Sequence, residues 1–248
     1  MKNPTRIFII GATSAIIEQL ARWLASNAAA LYLTGRDTVR LEMIAADLRV
    51  RGARQVEIES LDVTDARALN GLVARAAAAL GGLDTLIVAA GELPDQHEIN
   101  TDANRLRETF EVNAIGPMAI LNEAAAYFEQ QGHGQIVAIG SVAGDRGRAT
   151  NYAYGAAKGA LEIFLSGLRQ RLHGRGIQVL LVKPGFVDTP MTADFAKGPL
   201  WASPERVARD IVRALERGRS VIYTPWYWRW IMLIIRHLPE PIFTRLRF

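Results

Sequence analysis

The chain has no cysteine among its 248 residues, which excludes disulfides, zinc–thiolate centres and a thiol nucleophile. Its four histidines, His97, His133, His173 and His237, stand in unrelated contexts with no metal-ligand spacing between them, so no metal site is expected. No apolar run reaches the roughly 18 residues of a membrane-spanning helix. Near the N-terminus, Lys2 and Arg6 flank only the short run Ile7 to Ile10, and Pro4 interrupts the approach, so no signal-peptide core is present. These absences fit the cytoplasm. Net charge is a modest +4, and no basic run with interleaved aromatics occurs in the first 200 residues, which removes a nucleic-acid footprint there. Glycine is scarce in one telling place: the turn after the first strand, Gly11-Ala12-Thr13-Ser14-Ala15-Ile16-Ile17, keeps a single one.

What is present is globular. Half the residues are apolar and 22% are charged, and the length suits one sizeable core. Strand and helix patterns alternate. Strands are predicted at Arg6–Ile10, Ala29–Thr34, Gln55–Ser60, Asp84–Ala89, a run ending at Ile139, Gly176–Lys183 and Ser220–Tyr223. Helices are predicted at Ser14–Asn27, a stretch ending near Arg51, Asp65–Leu80, about Thr101–Gln131, a stretch holding Tyr154, and Pro204–Arg217. Such alternation predicts an α/β domain with a doubly wound parallel sheet over residues 1–223, and ligands then bind beyond the carboxyl ends of the strands. Residues 224–248 read as a separate tail.

The chemistry concentrates between Ser141 and Lys158. Tyr154 and Lys158 are four apart, so a helix places them on one face. A phenol beside an ammonium is a tunable acid, because the positive charge favours phenolate and lowers a pKa of about 10. Taken alone, Tyr and Lys at this spacing are first of all a common helix-surface pair, and what overturns that reading comes from elsewhere in the chain. The rival phenol Tyr152 has Ala156, not a cation, four residues on. Free N–H groups after Gly11 suit a phosphate. In Thr34-Gly35-Arg36-Asp37, an acid would accept bonds from a ribose 2′-hydroxyl, whereas Arg36 suits a 2′-phosphate.

These motifs, with Asp62-Val63, Ala90-Gly91, Val112-Asn113-Ala114-Ile115-Gly116 and Pro184-Gly185-Phe186-Val187-Asp188-Thr189, resemble the short-chain dehydrogenase/reductase family in order along the chain. The resemblance implies a Rossmann-like fold, a nicotinamide dinucleotide cofactor and a homo-dimer or homo-tetramer. Arg36 favours NADPH over NADH, so NADP is the expected cofactor, although Asp37 is the alternative acid. It implies that Tyr154 protonates the substrate oxygen and that Lys158 lowers the tyrosine pKa and bonds the nicotinamide ribose. Ser141 would hold the carbonyl, and Asn113 would keep a water in a proton relay. The implied cofactor contacts are Gly11, Thr13, Ser14, Ala15 and Ile16 at the first turn, and Arg36, Asp62 and Val63 around the adenosine. Ala90, Gly91, Tyr154, Lys158, Pro184, Gly185, Val187 and Thr189 would serve the nicotinamide side. The chain departs from the family where glycines usually occupy the positions of Ala15 and Ile17, and Val88-Ala89-Ala90-Gly91 lacks a polar clamp. Ile17 is expected to pack against the sheet and displace its helix outward.

The tail from Trp226 to Phe248 crowds aromatics at one end, fills its centre with aliphatics and carries Arg229, Arg236, Arg245 and Arg247. It suits a membrane interface, placing the protein at the inner face of a membrane, or packs on the body or a second copy. The tail is also similar to that of decaprenylphosphoryl-2-keto-ribose reductases, which implies a carbonyl on a lipid-linked sugar or another amphiphile as substrate. A non-enzymatic nucleotide sensor or membrane-tethered scaffold on the same fold is the alternative, motivated by the depleted glycine turn.

Overall fold

The computed structural model describes residues 5–246, so Lys2, Pro4, Arg247 and Phe248 lie outside the described residues. Strand β1 (Arg6–Ile10) is followed by α1 (Ala15–Ala25), β2 (Ala30–Gly35), α2 (Thr38–Val50) and β3 (Gln55–Ser60). Next come α3 (Ala66–Leu69), α4 (Leu72–Leu80), β4 (Thr85–Val88), α5 (Gln96–Thr101), α6 (Ala103–Phe110) and α7 (Gly116–Gln131). The chain continues through β5 (Gly134–Ile139), α8 (Tyr152–Leu172), β6 (Ile177–Pro184), α9 (Pro204–Glu216) and β7 (Val221–Thr224). Two tail helices, α10 (Trp228–His237) and α11 (Glu240–Phe243), complete it.

The seven strands form one sheet in the order β3-β2-β1-β4-β5-β6-β7, with every neighbouring pair parallel. The central strands are near-continuous apolar runs because helices cover both faces. Alternate residues of β1 show how the period of two divides the core. Ile7 and Ile9 join α1, α2 and α9 through Leu20, Leu41 and Ile211. Phe8 and Ile10 join α4, α7 and α8 through Leu72, Phe128 and Leu161. The strand order reverses between β1 and β4, and the crevice opened there is where such sheets bind ligands.

Strands β1 and β3 lie where their patterns predict, β5 ends at Ile139 as expected, and β2, β4, β6 and β7 shift by one residue at each end. Two helices differ. The helix expected from Asp65 to Leu80 is broken at Asn70-Gly71, because Gly71 adopts the left-handed conformation at φ 70° and restarts the helix as α4. The helix expected from Thr101 to Gln131 begins earlier, at Gln96, and is interrupted at Asp102, whose side chain accepts the Asn104 N–H to start α6. It then passes through a π turn at Glu111–Ile115. Such turns insert one residue into the helical ladder and often occur at functional sites.

Candidate functional site

Gly11 leaves β1 at φ +79°, and a methyl there would lie 2.8 Å from the Ala89 carbonyl carbon and the Ala90 nitrogen. Glycine is therefore required twice, by conformation and by space. The N–H groups of Gly11 and Ala12 both donate to the Thr34 carbonyl at 3.0 Å, locking the turn to β2. Ser14 occupies the N-cap of α1 in extended geometry, but its hydroxyl makes no capping bond. The first-turn N–H groups thus lack the usual side-chain acceptor, and a phosphate is the anion such a terminus takes. Thr13, Ser14 and Ala15 are half-buried, whereas Ile16 is buried. Ile17 is fully buried in the cluster of Ile9, Leu20 and Leu33, so its extra carbons fill core rather than the turn.

At the end of β2, Arg36 is exposed and engaged in no hydrogen bond or ion pair among the described residues. Its charge helps to hold the Asp62 carboxyl below its ordinary range, behind the larger effect of the Thr64 backbone N–H. Arg36 and Asp62 therefore share one end of the sheet. Asp37 is already used: its carboxylate accepts the Arg40 N–H at 2.9 Å and caps α2. Val63 is buried beneath Asp62, and its carbonyl oxygen abuts Gly116, where a methyl would overlap it.

Beyond β4, Gly91 has no room for a side chain. A methyl there would stand 2.9 Å from Asn113 Oδ1 and 3.0 Å from Lys158 Nζ, so Asn113 and Lys158 converge on its backbone. The π turn holds Asn113 fully buried. Its Oδ1 accepts the Glu92 N–H at 3.1 Å, and its Nδ2 donates to the Thr109 carbonyl at 3.0 Å. Lys158 Nζ donates to the Ile139 carbonyl at 3.3 Å and lies 5.8 Å from the centre of the Tyr154 ring. Burial without an anionic partner lowers Lys158 to about 8. Ser141 follows β5 and its Oγ accepts the Ala143 N–H at 3.1 Å.

Tyr154 corrects the expectation from spacing. Burial pushes its phenol upward, and the neighbouring Ser141 hydroxyl and the charge of Arg148 pull it only part of the way back. A lysine one helical turn away favours phenolate, but here desolvation of the ring oxygen wins. The rival Tyr152 is exposed and donates its hydroxyl to Asn100 Oδ1 at 2.5 Å.

After β6, Pro184 and Val187 are buried while Gly185 and Thr189 are half-buried. Gly185 lies flat against the Trp228 indole, which an added side chain would overlap. Thr189 is held by a capping box with Thr192. Trp228 and Met232 of α10 are buried against Val142, and Arg146 fastens α10 and α11. Its Nη1 donates to the carbonyls of Ile235 and Leu238, both at 2.7 Å, and its Nη2 pairs with Glu240 at 2.7 Å. One side of the tail is therefore packed on the body. The other side leaves Trp226, Trp230, Leu233 and Ile234 exposed.

Three features escaped the sequence reading. A buried network joins Lys183 to Asp145 and to Glu162, with Tyr223 donating to Asp145 at 3.1 Å. Glu92 Oε1 is a buried oxygen without a hydrogen-bond partner among the described residues, and burial raises its carboxyl. Arg148, near Tyr154, has a buried Nε with none either. No local pattern in Asp145-Arg146-Gly147-Arg148 says which of these charges is left over. No cluster of three or more candidate metal ligands occurs among the described residues.

The glycine cradle at Gly11, the uncapped start of α1 and the packed Gly91 fit a dinucleotide laid across the crevice between β1 and β4. Comparison with known proteins gives the same picture. Residues 5–199 match the family described as short chain dehydrogenase. An uncharacterised oxidoreductase of Mycobacterium tuberculosis is 38% identical over 240 residues, covering 97% of this chain and 96% of its own. A second uncharacterised oxidoreductase, from Streptomyces coelicolor, is 33% identical over 249 residues, covering 98% and 96%. A solved short chain dehydrogenase/reductase family protein superposes with a TM-score of 0.78 at 29% identity, covering 90% of this chain and 97% of that one. The bulky-bulky ketone specific alcohol dehydrogenase from Comamonas testosteroni shares the fold, with a TM-score of 0.82 at 24% identity over 100% of this chain and 96% of that one.

Proposed function

We propose, from the premise that this oxidoreductase belongs to the short chain dehydrogenase family, that it interconverts a ketone and a secondary alcohol with NADP. The observation that carries this reading is the convergence of Asn113 and Lys158 on Gly91, with the centre of the Tyr154 ring 5.8 Å from Lys158 Nζ. When bound, the nicotinamide supplies or accepts hydride. Tyr154, whose phenol is pushed upward by burial, keeps its proton at neutral pH and donates it to the substrate oxygen. The hydroxyls of Tyr154 and Ser141 meet the negative charge that develops on that oxygen, where such donors stabilise the transition state most. Lys158 is charged at neutral pH, holds ribose hydroxyls and stabilises phenolate once the proton has left. Asn113 holds a water that passes the proton on.

NADPH is preferred over NADH because Arg36 is exposed and uncommitted, while Asp37 is spent on its helix cap. Fluorescence titration of the purified protein tests this. NADPH should bind more tightly than NADH, and Arg36→Ala should remove the difference. Equal affinities sink the preference, and saturable binding of neither sinks the whole reading.

The exposed side of α10 supports an amphiphilic substrate met at the inner face of a membrane. Trp226, Trp230 and Leu233, with Arg229 and Arg236, line a groove of about 580 Å³ beside β7. Apolar rings with arginines beside them suit the boundary between acyl chains and acidic headgroups. A carbonyl on a lipid-linked sugar fits this placement. No helix of the described residues is long and apolar enough to cross a membrane. The protein works as a homo-dimer or homo-tetramer, which sedimentation of the full chain tests.

A further inference from the structure

We propose that Arg148 selects the substrate by binding an anionic oxygen group, carboxylate or phosphate, carried close to the reacting carbonyl. The proposal rests on Tyr154 marking where that carbonyl sits. Three charged residues occur in the loop that joins β5 to α8, and two are spoken for. Asp145 is taken by Lys183 and Tyr223. Arg146 is taken by the carbonyls of Ile235 and Leu238 and by Glu240. Arg148 has no ion pair among the described residues, and its Nε is buried without a hydrogen-bond partner. Its charge is nevertheless felt by Tyr154, which places it on the catalytic side of the loop.

A second orphan lies on the same turn. The Asn151 N–H donates to the Arg148 carbonyl at 3.0 Å, closing the turn on itself. The Asn151 side-chain oxygen, Oδ1, is also buried and has no hydrogen-bond partner among the described residues. An open donor and an open acceptor thus belong to two residues joined by one turn, just before Tyr154. Buried polar groups are almost always satisfied, and the exceptions mark sites completed by something else. A guanidinium matches carboxylate and phosphate through parallel N–H bonds, and a neutral ketone offers no such partner. Asp145 is close enough for its charge to act on Arg148, but it makes no ion pair with Arg148 among the described residues because Lys183 takes its carboxylate. The Asn151 oxygen accepts a hydroxyl of the same substrate.

Ligand binding to the full chain loaded with oxidised NADP tests this without turnover, since no hydride is then available to a ketone. Two matched pairs separate the sources of charge: benzoylformate with its amide, and dihydroxyacetone phosphate with dihydroxyacetone. The expected result, by calorimetry, is that one anion binds at least about tenfold more tightly than its neutral partner, the size of a charge-assisted pair. Arg148→Gln should erase the preference and Arg148→Lys should keep part of it, with affinity for NADP unchanged in both. Equal affinity within both pairs, no binding of either anion at millimolar concentration, or a preference that survives Arg148→Gln would overturn the proposal. Failure of hydride transfer from NADPH to every ketone, with the anion preference intact, counts against the reductase reading and leaves Arg148 as an anion-binding residue.

Discussion

The Lys158 ammonium stands 5.8 Å from the centre of the Tyr154 ring, yet its hydrogen bond goes to the Ile139 carbonyl at 3.3 Å. The pair is thus set by two different forces. Tyr154 is raised by burial, and Lys158 is lowered by it. Neither neutralises the other.

Lys158 therefore costs stability in the protein free of cofactor. Its folded pKa of about 8 lies below the ordinary 10.5. Between these values the unfolded chain binds more protons, so stability rises with pH across that window. Below it the penalty is fully present, on the order of 3 kcal/mol. Lys158→Met should be more stable than the native chain at pH 7 by urea denaturation, and the gap should close as pH approaches the upper limit. A gap that does not change with pH would contradict this account.

Gly91→Ala should separate folding from chemistry. The added methyl sits 2.9 Å from Asn113 Oδ1 and 3.0 Å from Lys158 Nζ, so it crowds two polar groups together. A stability loss of about 1–3 kcal/mol is expected from overpacking, with hydride transfer falling about tenfold or more as both groups move. Native turnover in a folded Gly91→Ala protein would show that the three do not work as one site.

Arg146 should hold the tail to the loop of the site. Its guanidinium bonds two carbonyls of α10 and its C-terminal turn, pairs with Glu240 and lies 3.7 Å over the Phe243 ring. Arg146→Ala should raise amide hydrogen exchange in residues 228–243 while leaving the strands protected. Unchanged exchange there would mean that Trp228 and Met232 alone dock the tail.

Membrane contact is best tested on the exposed side of α10 alone. Removing residues 226–248 would also withdraw Trp228 from Gly185, so loss of lipid binding in that truncation mixes two effects. Replacing Trp226, Trp230, Leu233 and Ile234 by serine changes only exposed groups. Sedimentation with anionic vesicles should fall several-fold in the substituted protein. Equal sedimentation would leave the apolar side of α10 to another use.

Much of the fold was legible because buried parallel strands leave continuous apolar runs, as in Ile7 to Ile10 and Val179 to Val182. The convergence of Asn113 and Lys158 was legible only through resemblance, since 45 residues of chain separate them. The π turn was hidden: Val112-Asn113-Ala114 reads as ordinary helix, and only the packing shows the extra residue. The direction of the Tyr154 shift was hidden for a related reason, because spacing announces a neighbouring charge but not the loss of water. Arg148 and Arg146 look alike in sequence. Their difference lies in partners about 90 residues away, at Ile235, Leu238 and Glu240.

The central claim is that Tyr154 carries the proton in a hydride transfer. The most direct measurement compares native protein with Tyr154→Phe, following NADPH oxidation with a turned-over ketone and NADPH binding by fluorescence. Loss of a positioned general acid should lower turnover about 10²–10⁴-fold, with NADPH affinity nearly unchanged. Undiminished turnover in Tyr154→Phe would contradict the account.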